Sequence, residues 1–240
     1  MPLPKISTPT YELELPSTGQ KLTYRPFLVR EEKLLVLAME SENTKDITRA
    51  IKEVLKACIK TKVKIETLPT FDIEYLFLNI RGKSVGEEVE VSVLCPDDEE
   101  TSVDVTIPID DIQVQRSDEH NDTIVLDDSL TMKMKYPSLD QFIETNFDTN
   151  AAKTTQLEQS FNMIAQCIDS IYTEEEAWTT SECSKKELNE FLEQLSSTQF
   201  QEIEKFFETM PKLSYELSVT NPKTKKKGKV TLEGLASFFG

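Results

Sequence analysis

Two segments of this chain have the pattern of the same β-hairpin, and their turns carry opposite charge. Residues 91–107 alternate apolar and polar side chains on both sides of an acidic turn at 97–100. Residues 213–232 repeat the pattern around a lysine-rich turn at 223–229, and an X-Pro step precedes each turn. Alternation with a period of two is typical of half-buried strands, and proline favours entry into a turn. A hairpin that presents fixed charge and no catalytic group is more typical of a docking surface than of an active site, so we expect an interaction protein.

The charged turns supply most of the candidate docking residues. We call residues 97–100 the acidic tip and residues 223–229 the basic tip. Exposed aromatic side chains often anchor protein interfaces, so an aromatic pair in the predicted C-terminal helix is a further candidate, and Trp178 is expected in an exposed or edge segment. The candidate set is Asp97, Asp98, Glu99, Glu100, Lys223, Lys225, Lys226, Lys227, Lys229, Phe238 and Phe239.

Composition predicts a folded protein and argues against some classes of function. Hydrophobic residues make up 38% of the 240 residues and charged residues 29%, which is too apolar for a disordered chain. Only six glycines are present, which argues against glycine-rich phosphate-binding loops. The formal net charge of −16 repels phosphate backbones. Nucleic acid is therefore not an expected partner, with the basic tip as a local exception.

The order of the predicted elements indicates an α+β fold. Along the chain we expect a hairpin, helices, a small antiparallel β region, helices, a second charged hairpin and a final short helix. Strands and helices cluster rather than alternate, which argues against a parallel α/β sheet. We expect three parts: an N-terminal hairpin and helices at 1–86, the β region at 87–136, and C-terminal helices with a terminal hairpin and short helix at 137–240. The helices of the outer parts are expected to form one helical body.

Apolar spacing and end signals predict the boundaries of several helices. Gly82 predicts a left-handed cap at the end of one helix. Two capping boxes, Ser184 with Glu187 and Thr198 with Gln201, predict the starts of two others. A stripe of apolar residues at steps of three and four predicts one further long helix through Leu157, Phe161, Ile164, Ile168 and Ile171.

The sequence contains no recognisable catalytic centre, so we expect no enzyme activity. The single histidine, His120, lies among acidic residues in a polar segment and is expected to be a solvated loop residue. A Cys–His pair built on it stays open, although no local signature supports one. Neither a P-loop nor a Gly-x-Ser-x-Gly motif is present. Asp127 and Asp128 lack the spacing of a calcium-binding loop and are expected in a solvated turn.

The cysteines and the N-terminus indicate a reducing compartment. Cys58, Cys95, Cys167 and Cys183 lie far apart, so no spacing indicates a disulfide framework or a zinc site. The chain begins without an apolar run, and no segment approaches the roughly eighteen apolar residues of a membrane span. We therefore expect a protein made in the cytoplasm, with no membrane partner and no small-molecule substrate.

Three stretches of the chain resemble the baseplate hub protein family of T4-like myoviruses. They are TPTYELELPST and YRPF within residues 8–27, DIEYLFL and RGKSVGE within 72–87, and FFETMPKL, TLEGL and FF within 206–239. The resemblance implies a non-enzymatic phage tail protein that is a component or an assembly factor (chaperone) of the baseplate hub. Its implied partners are other hub proteins. Its implied location is the tail baseplate of the virion, the host cytoplasm during assembly, or both.

The resemblance also implies that relatives carry cysteine pairs at the two turns, in the manner of zinc-ribbon knuckles. Here Cys95 stands alone, with Asp97-Asp98 where its partner would fall. Asn221 and Thr224 occupy the matching positions of the second turn. Tetrahedral zinc needs four good ligands, so we expect two zinc-ribbon-like hairpins that lack metal ligands, and no cofactor.

Two other classes of function stay open. One is an enzyme or zinc-binding protein of the tail that uses Cys95 or His120 as a reactive or ligating group. The other is a nucleic-acid contact through the basic tip, which predicts binding that weakens with salt.

Overall fold

The computed structural model describes residues 6–41, 43–138 and 156–238 of the chain. Its helices are α1 (Val29–Glu40), α2 (Thr44–Cys58), α3 (Thr70–Val85), α4 (Gln156–Cys167), α5 (Lys185–Leu192) and α6 (Ser197–Thr209). Its strands are β1 (Tyr11–Glu14), β2 (Lys21–Tyr24), β3 (Glu88–Leu94), β4 (Ser102–Pro108), β5 (Gln113–Gln115), β6 (Thr123–Val125), β7 (Thr131–Met134), β8 (Ile168–Tyr172), β9 (Ala177–Thr179), β10 (Lys212–Thr220) and β11 (Lys227–Glu233). Short 3-10 helices lie at Ile65–Thr67, Ile109–Asp111 and Leu235–Phe238. This mixture of helices and small antiparallel sheets confirms the predicted α+β class.

The chain divides into two compact units that interleave in sequence. The first unit contains residues 1–65, 71–115 and 212–240, and the second contains 66–70 and 116–211. The first unit holds both charged hairpins, so the candidate docking site is built within one unit.

The strands of residues 87–136 belong to three different sheets. β3 pairs with β4, and β5 pairs with β10 in a sheet of order β11-β10-β5. β6 and β7 join β8 and β9 in a sheet of order β6-β7-β8-β9. The interpretation of 87–136 as one β region is therefore wrong. Periodicity finds each strand but does not report its partner, and here the partners lie far along the chain.

A buried ion pair fixes the start of α1 against the end of β2. Arg25 and Glu31 are each 4% exposed, and Nη2 of Arg25 lies 2.9 Å from Oε1 of Glu31. Glu31 also accepts the N–H of Leu28 at 2.8 Å and Nε of Arg30 at 2.6 Å. Burial alone would raise the pKa of Glu31, but these hydrogen bonds outweigh it and lower the pKa to about 2.

Helix α3 runs past the glycine that was expected to end it. α3 continues to Val85, and Gly82 lies buried inside it. A Cβ on Gly82 would lie 3.0 Å from Cδ1 of Ile109, so glycine here permits close packing. The prediction of a left-handed cap at Gly82 is therefore wrong. The positive φ that was expected at Gly82 occurs instead at Gly86, directly after the helix, where φ is 144°.

The two charged hairpins, β3–β4 and β10–β11, share one core. Alternate positions of their strands point inward, as the period of two predicts. Helix α3 adds Leu78 to this core. The buried side chains contributed by the hairpin strands are Val89, Val91, Val93, Ile107, Leu213, Leu217, Val219 and Leu232.

In the second unit, helices α4, α5 and α6 share a core with the four-stranded sheet. The sheet contributes alternating apolar residues, and each helix contributes one apolar stripe. The buried core residues are Ile124, Leu126, Met132, Met134, Ile164, Ala165, Cys167, Ile168, Ile171, Leu188, Leu192, Ile203 and Phe206.

The helical stripe predicted through residue 171 ends early and becomes a strand. α4 stops at Cys167, and Ile168 and Ile171 lie in β8. Ile171 pairs with Met132 and Ile168 with Met134, and a register shift separates the two pairs. This bulge lets two isoleucines three residues apart face the same core, although strands normally alternate. A spacing of three therefore mimicked a helix.

One of the two predicted capping boxes is confirmed and the other is displaced. Ser184 and Glu187 cap α5 reciprocally. The box that starts α6 is formed by Ser196 and Gln199 rather than by Thr198 and Gln201. Both pairs fit the same spacing, so the sequence pattern alone did not separate them.

None of the helices in the described ranges is long and apolar enough to cross a membrane.

Candidate functional site

The two charged turns share one backbone hydrogen bond and one residue with positive φ, although the first turn is one residue longer. In the first, the N–H of Glu99 donates to the carbonyl of Cys95 at 2.9 Å. In the second, the N–H of Lys225 donates to the carbonyl of Asn221 at 2.9 Å. Glu99 and Lys225 have positive φ, at 54° and 62°, which is uncommon for residues other than glycine. The repeat seen in the sequence is therefore also a repeat in the structure.

A buried asparagine joins the two turns. Asn221 is 1% exposed, and its Nδ2 donates to Oδ1 of Asp97 and to Oδ2 of Asp98, both at 2.9 Å. Its Oδ1 accepts the N–H groups of Lys223 at 2.8 Å and Thr224 at 3.2 Å. Two donors and two acceptor sites are the full capacity of a side-chain amide. Asn221 therefore fixes its own turn and bonds it to the other.

The acidic tip takes part in this contact through its first two carboxylates. Oδ2 of Asp97 accepts the hydroxyl of Thr224, while Asp98 accepts the N–H of Thr101 at 3.0 Å and its hydroxyl at 2.6 Å. Hydrogen bonds from Thr224 and then Asn221 lower the pKa of Asp97. Those from Thr101 and then Asn221 lower the pKa of Asp98. Both carboxylates are therefore ionised near neutral pH.

A glycine allows the two hairpins to approach each other. Gly228 lies in β11 opposite Val219. A Cβ at this position would lie 2.3 Å from Cγ of Pro96, far inside van der Waals contact. No side chain fits here unless the hairpins separate. The sequence analysis did not single out Gly228, although a glycine within a lysine-rich strand was the available signal.

The remaining charges of the tips face solvent. Glu99 and Glu100 are exposed in the acidic tip. Lysines 223, 225, 226 and 227 are exposed in the basic tip, and none of them forms an ion pair with another described residue. Lys229 differs, because its Nζ lies 2.7 Å from Oε1 of Glu216 on the neighbouring strand. The outward surface thus places a basic patch beside an acidic one.

The positions expected to correspond to a zinc site do not suit zinc. Asn221 uses both ends of its amide in hydrogen bonds, and Cys95 is 0% exposed. Burial, followed by the nearby Asp97 and Asp98 charges, raises the pKa of the Cys95 thiol. Zinc binds the thiolate rather than the thiol. Among the described residues, no group of three or more His, Cys, Asp or Glu side chains is placed to hold a metal ion.

Comparison with known proteins gives the family of this chain. A sequence model of the family described as T4 bacteriophage base plate protein matches residues 8–240. The chain belongs to this family. Membership supports a structural role in the virion tail and interaction with other phage baseplate proteins. No curated protein and no solved structure matches the chain.

The aromatic residues predicted to be exposed docking candidates in this baseplate protein differ in where the structure places them. Phe238 is 1% exposed and packs in the core shared by the two charged hairpins. It is therefore not available as a surface anchor, and its proposed docking role is corrected to a role in the core. Phe239 lies outside the described residues. Trp178 lies in the edge strand β9 and is 41% exposed, as expected.

His120 is half-buried in an aromatic cluster of the second unit. Its Nδ1 lies 3.0 Å from Oγ1 of Thr209, and its Nε2 lies 3.0 Å from the hydroxyl of Tyr136. Its ring centroid lies 5.5 Å from that of Tyr136 and 5.1 Å from that of Phe206. Burial lowers the pKa of His120, which favours the neutral ring. The prediction of a solvated loop histidine is wrong, because the ring is half-buried and both of its nitrogens have partners. Local sequence pattern could not show this, since Tyr136 and Thr209 lie far from His120 along the chain.

Proposed function

We propose that this baseplate protein is a non-enzymatic component or assembly factor of the baseplate hub, and that it acts through protein contacts made by its paired tips. Family membership supports a tail role among baseplate proteins. The observation that carries the proposal is the bridge from Asn221 to Asp97 and Asp98, which joins both turns into one surface. A surface that is ordered before binding loses less conformational entropy when a partner docks.

The exposed charges indicate how such a surface recognises a partner. The basic patch favours an acidic surface on a hub protein, since complementary charge sets orientation and speeds association. Rim charges of this kind contribute specificity more than affinity. Apolar contacts elsewhere on the chain would then supply much of the affinity.

Copurification tests the proposal. The tagged protein, produced together with the other hub proteins of the same phage, is expected to bring at least one of them through purification. A stable protein that binds none of them would contradict the proposal. Mass spectrometry of purified virions separates the two forms of the proposal, because a hub component stays in the particle whereas an assembly factor acts in the host cytoplasm and is absent from it.

Two competing hypotheses have equally direct tests. Stoichiometric zinc in the purified protein would favour a metal-binding tail protein over the present proposal. Salt-sensitive binding to DNA or RNA that is lost when Lys225 and Lys226 become glutamate would favour a nucleic-acid contact through the basic tip.

A further inference from the structure

We infer that the paired tips bind a second copy of this chain through a two-fold interface, in which the basic tip of each copy meets the acidic tip of the other. The inference rests on the proposed function, since it assigns a partner to the same surface. Its basis is the arrangement of charge within that surface rather than the lysine cluster alone.

The acidic and basic tips are direct neighbours within one molecule. The amide of Asn221 donates to Asp97 at 2.9 Å, and Gly228 lies against the ring of Pro96. The two turns therefore lie at the same end of the shared hairpin core. Their outward charges form one bipolar surface rather than two separate patches.

Most of the charge at this end is not used within the molecule. Glu99, Glu100 and the four lysines at 223 and 225–227 are exposed. Within the described part of the chain, none of these six side chains takes part in an ion pair. The charges that are used are those of Asp97 and Asp98, which bond to the other turn, and that of Lys229, which pairs with Glu216.

A surface with adjacent positive and negative halves is complementary to its own copy. Rotation by 180° about an axis between the halves places each half over the opposite half of the partner, which is the geometry of an isologous dimer. The rest of the chain opposes contact between copies, since each carries a formal net charge of −16. At an ionic strength of about 0.15 M the Debye length is about 8 Å, so distant repulsion is screened while charges in contact still attract. The basic tip is thus the surface through which two copies approach most favourably.

Charge reversal with complementation tests the inference. Variant A carries Lys225→Glu and Lys226→Glu, so the exposed charges of its basic tip cancel, with Lys223 and Lys227 left against the two new glutamates. Variant B carries Glu99→Lys and Glu100→Lys, so both of its tips expose basic side chains. The matched control carries Lys60→Glu and Lys62→Glu, two exposed lysines of the same unit outside the tips. Sedimentation velocity over a concentration series at about 0.15 M salt measures self-association, and circular dichroism checks that each variant is folded.

We expect the wild type and the control to self-associate, and A and B alone to do so at least about tenfold more weakly. An equimolar mixture of A and B is expected to associate more strongly than either variant alone, because the acidic tip of A is complementary to the basic tip of B. Raising the salt to about 1 M, where the Debye length is about 3 Å, is expected to dissociate the wild-type dimer, which tests the inference even if a variant fails to fold. A wild type that stays monomeric, a dimer insensitive to salt, or a mixture of A and B that stays monomeric would each overturn the inference.

Capture of hub proteins tests the proposed function separately from the measurement of self-association. A monomeric wild type that still captures hub proteins overturns the second-copy partner and leaves the hub role intact. A tip-dependent dimer that captures no hub protein supports the self-association and contradicts the hub role.

Discussion

The contact between the two turns depends on Asn221 and Gly228. Asn221 uses every hydrogen-bonding position of its amide, and Gly228 leaves the space that Pro96 fills. Neither role is visible in the sequence, where Asn221 only matches the position of Cys95 in the first turn and Gly228 interrupts a lysine run. Both residues contact the β3–β4 hairpin, which lies far away in the chain, so local sequence pattern could not predict their roles.

Gly228→Ala is expected to destabilise the protein by about 1–3 kcal/mol, because the new Cβ overlaps Pro96 and the hairpins must shift. Urea denaturation measures the change, with Thr231→Ala on the exposed face of the same strand as a control expected within about 0.5 kcal/mol of wild type. Adding Pro96→Ala should recover part of the loss. Equal stability of Gly228→Ala and wild type would show that the close approach is not required.

Asn221→Ala is expected to cost about 1–3 kcal/mol, since it leaves buried partners of the amide unpaired. Asn221→Asp should cost more near neutral pH, because a third carboxylate would face Asp97 and Asp98, whose lowered pKa values keep them charged. Denaturation midpoints of the two variants, compared with the exposed-site control Thr220→Ala, provide the test. The bridge would be refuted if Asn221→Asp were as stable as wild type.

The Arg25–Glu31 pair gives a pH dependence of defined sign. The pKa of Glu31 is about 2 in the folded protein, below its ordinary value of 4.5, so the folded state favours the carboxylate. Its contribution, on the order of 2 kcal/mol, is therefore present above pH 4.5 and is lost as the pH falls toward 2. Stability measured against pH should show this loss in wild type and in Glu32→Gln, an exposed neighbour. Glu31→Gln should be less stable near neutral pH and flatter over that window; an unchanged slope would contradict the assignment.

At the scale of elements, the sequence was informative where the signal is local and failed where the partner is distant. The N-terminal hairpin, both charged hairpins and the box at Ser184 follow from alternation and capping chemistry. The strand at Ile168–Tyr172 was read as helix because a bulge gave two isoleucines a helical spacing. Helix α3 passed its expected stop because Gly82 serves packing against Ile109 rather than chain reversal.

The displaced capping box provides a test at this scale. The side chain of Ser196 accepts the N–H of Gln199, so Ser196→Ala is expected to cost about 1 kcal/mol. Thr198→Ala, at the position favoured by the sequence pattern alone, should be nearly neutral, because Thr198 lies exposed within the first turn of α6. Thermal or urea unfolding separates the two; a larger loss for Thr198→Ala would place the helix start where the sequence indicated.

At the scale of the whole molecule, the family assignment came from sequence similarity that spans residues 8–240. The candidate site came from the contact between the two charged turns, which only the structure provides. The charge-reversed repeat was visible in the sequence, as were the tip residues themselves. That the tips lie side by side was not, because it depends on how two hairpins separated in sequence by residues 116–211 share one core. The same core holds Phe238, which removes it from the docking surface.

The most direct test of the account is capture of hub proteins by protein whose basic tip has lost its positive charge. Lys225→Glu with Lys226→Glu is compared with Lys60→Glu with Lys62→Glu, which changes the net charge equally and leaves the tips intact. The account predicts that quantitative pull-down of the other hub proteins is lost or strongly reduced with the first variant and unchanged with the second. Equal capture by both variants would contradict a docking role for the paired tips.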